Sequence, residues 1–312
     1  MSDEHNRSSS HSTTRRRLLR SAAVGSAVLG GVGVSVAKSD RSGGFPPNGT
    51  TSFGDTVALG NGELRTFTTE TPSGEPKYHG VEFDRAALEG LPDGDALAAD
   101  RTSESPTADD KYGKTGEALV IHGRESLEYF VPFPDAAETP FTFLGLNWNP
   151  NGHGGGGGAW SAPHFDIHFN MMAPATIDAI DGPDFAPYDA IPDEQMPAGY
   201  TRAPPFAAAE RYITDMGEHV APVDAPELPG NPDAFTNTLI QGFVGTGDGP
   251  ELAFVEPMIT REFLRGVRGT ETYEVPQPAV YPHEQRHPTA YSVRDVPSTD
   301  SIAVVLQDYD RV

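Results

Sequence analysis

The sequence predicts a mainly β protein: an antiparallel β-sandwich or barrel, jelly-roll-like, with one or two short helices and long Pro/Gly-rich loops. Three observations carry this. Short apolar runs of four to eight residues alternate with turn signals, the spacing of all-β sandwiches and barrels. No apolar stripe at helical spacing exceeds about three turns. The 34 glycines and 29 prolines among 312 residues break the chain too often for long helices.

Taken in order, Thr56–Leu59 and Glu63–Thr69 flank Gly60-Asn61-Gly62 and read as a hairpin. Val81–Leu91 carries Phe83, Ala86, Ala87 and Leu91 before Pro92 and suits one short helix. Asp100–Gly116 is polar and reads as a loop. Strands are expected at Ala118–His122, Leu127–Val131, Phe141–Trp148 and His164–Met172, and again at Asn237–Val244, Glu251–Val255, Ala290–Val296 and Ile302–Leu306. Pro183–Pro205, with six prolines, must run as irregular surface chain.

The first residues belong to no fold. Thr14-Arg15-Arg16-Arg17-Leu18-Leu19-Arg20 precedes a mildly apolar run from Ser21 to Ala37, interrupted by Gly25, Gly30, Gly31 and Gly33. That is the form of a twin-arginine export signal, closed by the small residues Ser35-Val36-Ala37. A run so rich in glycine is a poor membrane span, and no cysteine is present for a lipid anchor. Residues 1–37 are therefore read as a leader, 38–53 as a flexible tether and 54–312 as a single β-rich domain. The expected address is extracellular or at the cell surface, with no stable membrane anchor after cleavage.

Charge describes the habitat. The chain has 45 acidic and 22 basic residues, a net charge of −23. Residues 1–41 hold seven bases and three acids, so the remainder carries 15 bases, 42 acids and a net charge of −27. After residue 41 only Lys77, Lys111 and Lys114 are lysines. Such a surface suits multimolar salt, where the Debye length shrinks to about 3 Å and self-repulsion is screened. It offers no basic field for nucleic acid. The absence of cysteine excludes disulfides, zinc–thiolate modules and thiol nucleophiles. No Gly-x-Ser-x-Gly elbow or phosphate-binding loop occurs.

Histidine is the informative residue. If Pro163-His164-Phe165-Asp166-Ile167-His168-Phe169 is extended, His164, Asp166 and His168 share one face, and Phe165, Ile167 and Phe169 share the other. Imidazole, carboxylate and imidazole are ligand types for a divalent metal without sulfur, which favours zinc, manganese, iron or copper(II). At ~3.3 Å per residue, His164 and His168 stand about 13 Å apart on an ideal strand, too far to share one ion without a bulge. Asp166 can pair with either. Further ligands must come from elsewhere, and His219 and Glu256 are the candidates, with His153 nearby. Glu256, placed at a strand end before Pro257, would point into a cavity mouth. The competing reading is a hydrogen-bonded histidine network with no metal.

Gly152-His153, Pro163–Phe169, Met216-Gly217 with His219, and Phe254–Met258 together resemble a family of exported bacterial and archaeal proteins. Its signature is Pro-His-Phe-Asp-Phe-His-Phe, and it is named after a Thermus member under extracytoplasmic sigma-factor control. The likeness spans roughly Trp148 to Tyr291, with Ile167 in place of an aromatic residue and Asn170 in place of tyrosine. It implies a β-rich, ring-forming homo-oligomer and supplies no activity. The sequence thus points to a secreted, salt-adapted protein with a His/Asp/Glu metal site. The alternative is a non-enzymatic structural or stress-related envelope protein.

Overall fold

The computed structural model describes residues 44–312 apart from 137, 155, 156, 183, 184, 186, 187, 203–211 and 283. The leader, the first part of the tether and His283 lie outside the described residues. The first half of the domain supplies β1 (Thr51–Leu59), β2 (Gly62–Glu70), β3 (Pro76–Asp84), β4 (Asp109–Asp110), β5 (Gly116–Ile121), β6 (Arg124–Pro132), β7 (Phe143–Asn149) and β8 (His164–Asn170). The second half supplies β9 (Tyr200–Arg202), β10 (Tyr212–Ile213), β11 (Gly217–Pro222), β12 (Asn237–Thr246), β13 (Gly249–Thr260), β14 (Thr270–Glu274), β15 (Arg286–Val296) and β16 (Ser301–Arg311).

These strands form two antiparallel sheets. One has the order β1-β2-β3-β16-β15-β14; the other runs β10-β11-β12-β13-β8-β7-β6-β5-β4, with β9 added on β11. The chain fills each sheet by meanders: three strands of the small sheet, five of the large, then back in reverse. The halves therefore meet at two seams, β3 with β16 and β8 with β13. The result is a sandwich of two open sheets and not a closed barrel.

Alternation along β8 builds the interior. Phe165, Ile167 and Phe169 are fully buried with Leu144, Leu146, Phe83, Val304 and Leu306 between the sheets. Phe83 and Phe165 meet across the gap with ring centroids 5.7 Å apart. Burying each such side chain stabilises the fold by about 1.5–3 kcal/mol. The other face of the large sheet is covered as well. One apolar cluster there includes Phe130, Phe143, Ile177, Ile180 and Phe254; a second includes Trp160, Phe235, Ile240 and Met258. All seven residues of β8 are consequently buried.

Several local expectations are revised. Val81–Asp84 completes β3, because Val81 pairs with both Thr66 and Val304 inside the sheet; only Arg85–Leu88 makes a single 3-10 turn. Among the described residues three short helices occur: α1 (Gly94–Arg101), α2 (Pro174–Ile177) and α3 (Arg261–Gly266). Caps start two of them: Asp93 accepts from the Ala96 N–H at 2.8 Å, and Thr260 from the Phe263 N–H at 3.2 Å. β1 begins at Thr51, before the expected end of the tether, and Phe45 already packs against Phe67 and Tyr78 at 5.9 and 5.3 Å. β13 runs through Pro257 to Thr260, so Glu256 sits inside a strand and not at its end. Proline has no N–H to give, and the β8–β13 ladder skips Glu256 and Pro257, while β12 still pairs with both. Among the described residues no helix is long and apolar enough to cross a membrane.

Candidate metal centre

The even-numbered residues of β8 face outward from the sandwich core, beneath the covering loops. His164, Asp166 and His168 are 0%, 2% and 2% exposed, so this polar row is buried. The structure divides the six expected ligands into two triads rather than one centre. His153, His164 and Asp166 form one, and His168, His219 and Glu256 the other; within each, the donor atoms lie within 4.8 Å of one another. The strand spacing that keeps His164 and His168 apart accounts for the split.

Register assembles the second triad. Continuing the β8–β13 pairing of Val255 with Phe169 and Met258 with Asp166 puts Glu256 beside His168. His219 comes from β11, two strands away from β13; its partner on β12 is Gly242, which pairs in turn with Phe254, while Glu256 pairs with Ile240 on the same strand. Phe254 fills the space at Gly242: a Cβ on Gly242 would stand 1.9 Å from its ring. That ring packs edge-on against His168 and His219, centroids 4.8 and 5.1 Å away. Gly145 of β7 flanks His168 on the other side.

The first triad joins a strand to a loop. Gly152 adopts φ +60°, and a Cβ there would strike the Trp160 carbonyl at 2.2 Å. The His153 N–H donates to that carbonyl at 3.1 Å, which turns the His153 ring back over β8. Trp160 and Phe235 wall off His153 and His164, with centroids 6.0 and 5.2 Å apart respectively. The Asn149 amide donates to Asp166 Oδ2 at 2.7 Å and fixes that carboxylate.

Within the triads the polar atoms approach closely without bonding. His164 Nε2 lies 3.0 Å from Asp166 Oδ1 and His153 Nε2 lies 3.5 Å from Asp166 Oδ2. His168 Nε2 lies 3.5 Å from Glu256 Oε1, and His219 Nε2 lies 3.3 Å from Glu256 Oε2. Yet Asp166 Oδ1, His168 Nε2, His219 Nδ1 and Glu256 Oε2 are buried with no hydrogen-bond partner. The atoms are near enough but aimed past each other. Donors ~2.0–2.2 Å from one ion at tetrahedral angles stand roughly 3.3–3.6 Å apart, which is the spacing of three of these four pairs. The triads therefore have the donor types and spacing to hold a divalent ion.

Electrostatics differs between the two triads. Burial pushes Glu256 above the usual carboxylate range, and Asp166 adds to this while His168 opposes it. Burial lowers His219 to about 4 and also lowers His168, so both are neutral and their lone pairs are free. Burial opposes charge on Asp166 too, but His164 and His153 outweigh it and hold the carboxyl well below its ordinary value. For His153, burial is outweighed by Asp166 and the pKa is raised.

His122 also approaches the first triad, with no motif in the sequence to mark it. It occupies the β5–β6 turn at φ +48°, its ring 5.7 Å from that of His153. Burial and the neighbouring His153 and His219 lower its pKa to about 4. Its place in the turn His122-Gly123 is the only local signal, and the approach to His153 is long-range. His287 lies in the other sheet, on β15 beside Tyr281. Elsewhere on the large sheet the Lys111 ammonium is held by Asp215 at 2.5 Å, Asp178 at 3.0 Å and Glu128 at 3.3 Å, a network that already contains its own cation. A cleft of about 690 Å³ lined by Pro163, Phe235, Thr260, Arg261 and Arg265 opens beside β8, and none of the six candidate ligands lines it. No protein-family model, curated protein sequence or solved structure matches this chain.

Proposed function

We propose that this is an exported, salt-adapted β-sandwich protein that binds a divalent transition-metal ion through His168, His219 and Glu256. One observation carries the reading. Two neutral imidazoles and a carboxylate approach to 3.3 and 3.5 Å, yet His168 Nε2 and Glu256 Oε2 have no hydrogen-bond partner. Two nitrogens and one oxygen suit zinc, manganese, iron or copper(II) better than calcium or magnesium, which take oxygen ligands. Three protein ligands would leave a coordination position for water or a substrate oxygen, and the ion would act there as a Lewis acid. Export is supported by the twin-arginine pattern at residues 14–20, salt adaptation by the −27 charge of the chain after residue 41. The likeness to the ring-forming exported family supports a homo-oligomer.

Elemental analysis of protein purified in high salt tests the metal reading. Stoichiometric metal is expected, reduced by about one equivalent in Glu256→Gln and in His168→Ala. The second reading, a structural envelope protein with a histidine packing network, is favoured by the aromatic ring wedged against both histidines. Trace metal, indifferent to both substitutions, would establish that reading instead.

A further inference from the structure

We propose that the His153–His164–Asp166 triad is a second cation site, whose divalent ion staples the segment from Pro150 to Pro163 onto β8. This site is independent of the one formed by His168, His219 and Glu256, and its role is to hold a loop in place.

The hydrogen bonds around the triad define its chemistry. His153 Nδ1 lies 2.9 Å from the Gly154 carbonyl oxygen, and His164 Nδ1 lies 2.7 Å from that of Ala162. A carbonyl only accepts, so each Nδ1 carries the hydrogen, and in a neutral ring Nε2 is then a bare lone pair. Both Nε2 atoms lie near Asp166, at 3.5 Å from His153 and 3.0 Å from His164, and its oxygens also only accept. The Asn149 amide reaches His164 Nε2 at 3.4 Å, yet that nitrogen and Asp166 Oδ1 stand 3.0 Å apart without making a hydrogen bond. A cation between them resolves the conflict. Ring N–H groups bonded to backbone carbonyls are also the usual outer support of metal-bound histidine, fixing tautomer and ring orientation.

Placement determines what the ion does. His164 and Asp166 are on β8, whereas His153 belongs to the connection that leads into it. The three are 0%, 2% and 7% exposed, roofed by Trp160 and Phe235. Among its described residues the segment is tied by the Gly152 N–H to Asn149 carbonyl and His153 N–H to Trp160 carbonyl bonds, both 3.1 Å, and by a Ser161 hydroxyl to Gly158 carbonyl bond at 2.8 Å. An ion bridging His153 to the strand closes this loop. Two nitrogens and one oxygen select zinc or a similar borderline ion, with water left for the fourth position.

Metal content and hydrogen exchange, measured together on the full-length mature protein in high salt with zinc as the probe, test this. Wild type is expected to hold two equivalents. His153→Ala should hold one, and Glu256→Gln should also hold one, the other one. Chelation of wild type should speed amide exchange across residues 152–162 at least tenfold while leaving β16 protected. Glu256→Gln should keep that loop protection, and His153→Ala should lack it with or without zinc. Full metal content in His153→Ala would overturn the site. Unchanged loop exchange on chelation, or an equal rise in β16, would overturn the staple. Because chelation is applied to the wild-type chain, the test holds even where His153→Ala fails to fold.

Discussion

Gly242→Ala is the sharpest probe of the His168–His219–Glu256 triad, because it touches no ligand. The added Cβ would lie 1.9, 2.1 and 2.4 Å from three carbons of the Phe254 ring. Carbon contacts settle at about 3.5–4.0 Å, so ring or strand must shift by roughly 1.5–2 Å. Phe254 is fully buried, and overpacking of this kind costs about 1–3 kcal/mol. The displaced ring bears on His168 and His219, which it already contacts. Metal sites tolerate errors of only about 0.2 Å in donor distance. The variant should therefore lose one metal equivalent, keep the other, and unfold at lower denaturant concentration by about 1–3 kcal/mol. Adding Phe254→Leu should restore much of both. Metal content and an equilibrium denaturation curve in high salt read the outcome. An unchanged metal content together with an unchanged midpoint would refute the claim that Phe254 positions these histidines.

Three further predictions use other parts of the molecule. His79 is fully buried between Phe133 and Phe141, its ring nitrogens near Tyr309 and Thr139, and burial lowers its pKa from 6.5 to about 3. The unfolded chain takes up a proton there below pH 6.5 and the folded one does not until about pH 3. Stability from this residue is thus lost as pH falls through that window, by up to about 1.4 kcal/mol per pH unit. His79→Gln should flatten the dependence between pH 6 and 4, and parallel curves for the two proteins would exclude His79 as its source. Asn149→Ala removes the amide that orients Asp166 and should weaken zinc at the first triad by about 10–100-fold, leaving the second unaffected in a competition titration. The charge of −27 after residue 41 should make the melting temperature fall steeply on desalting; a curve indifferent to salt between multimolar and dilute buffer contradicts salt adaptation.

The parts of this fold that are legible in sequence are those encoded by alternation. The six residues from His164 to Phe169 announce a strand with a polar and an apolar face, and the structure has both. Pairing information is not local. Nothing near Glu256 tells that it faces His168, because that register is set by ladders spanning β8, β13 and β12. His219 reads as a ligand candidate only by type; its partner across the ladder, Gly242, lies more than twenty residues further along. The 13 Å argument already forbids a common ion for His164 and His168, yet the partner each takes waits on the tertiary structure. β3 escapes notice because Pro76 and Gly80 interrupt its apolar pattern, although Gly80 is needed there: a Cβ would meet the Phe67 ring at 2.3 Å. The helices α1 and α3 are too short for a periodic signal and are fixed by one capping side chain each.

The polar row is not required by packing. On the same face of the large sheet, Phe130, Phe143, Phe254, Ile240 and Met258 already form apolar clusters on either side of it. Replacing buried ionic groups by well-fitting apolar ones is often neutral or stabilising by about 1–4 kcal/mol, so a continuous apolar face would serve a sandwich at least as well. The two triads also differ in what they connect. His153, His164 and Asp166 all come from the first half of the domain, whereas His168 from the first half meets His219 and Glu256 from the second, across the β8–β13 seam. An ion in the second triad ties the halves together as well as offering an open coordination position. Bound ligand at a thousandfold excess over its dissociation constant stabilises by about 4 kcal/mol, and here that gain would fall on the seam. Zinc withdrawal should consequently increase exchange along β11 and β13 before it affects β15 and β16, which lie in the other sheet and carry none of the six ligands.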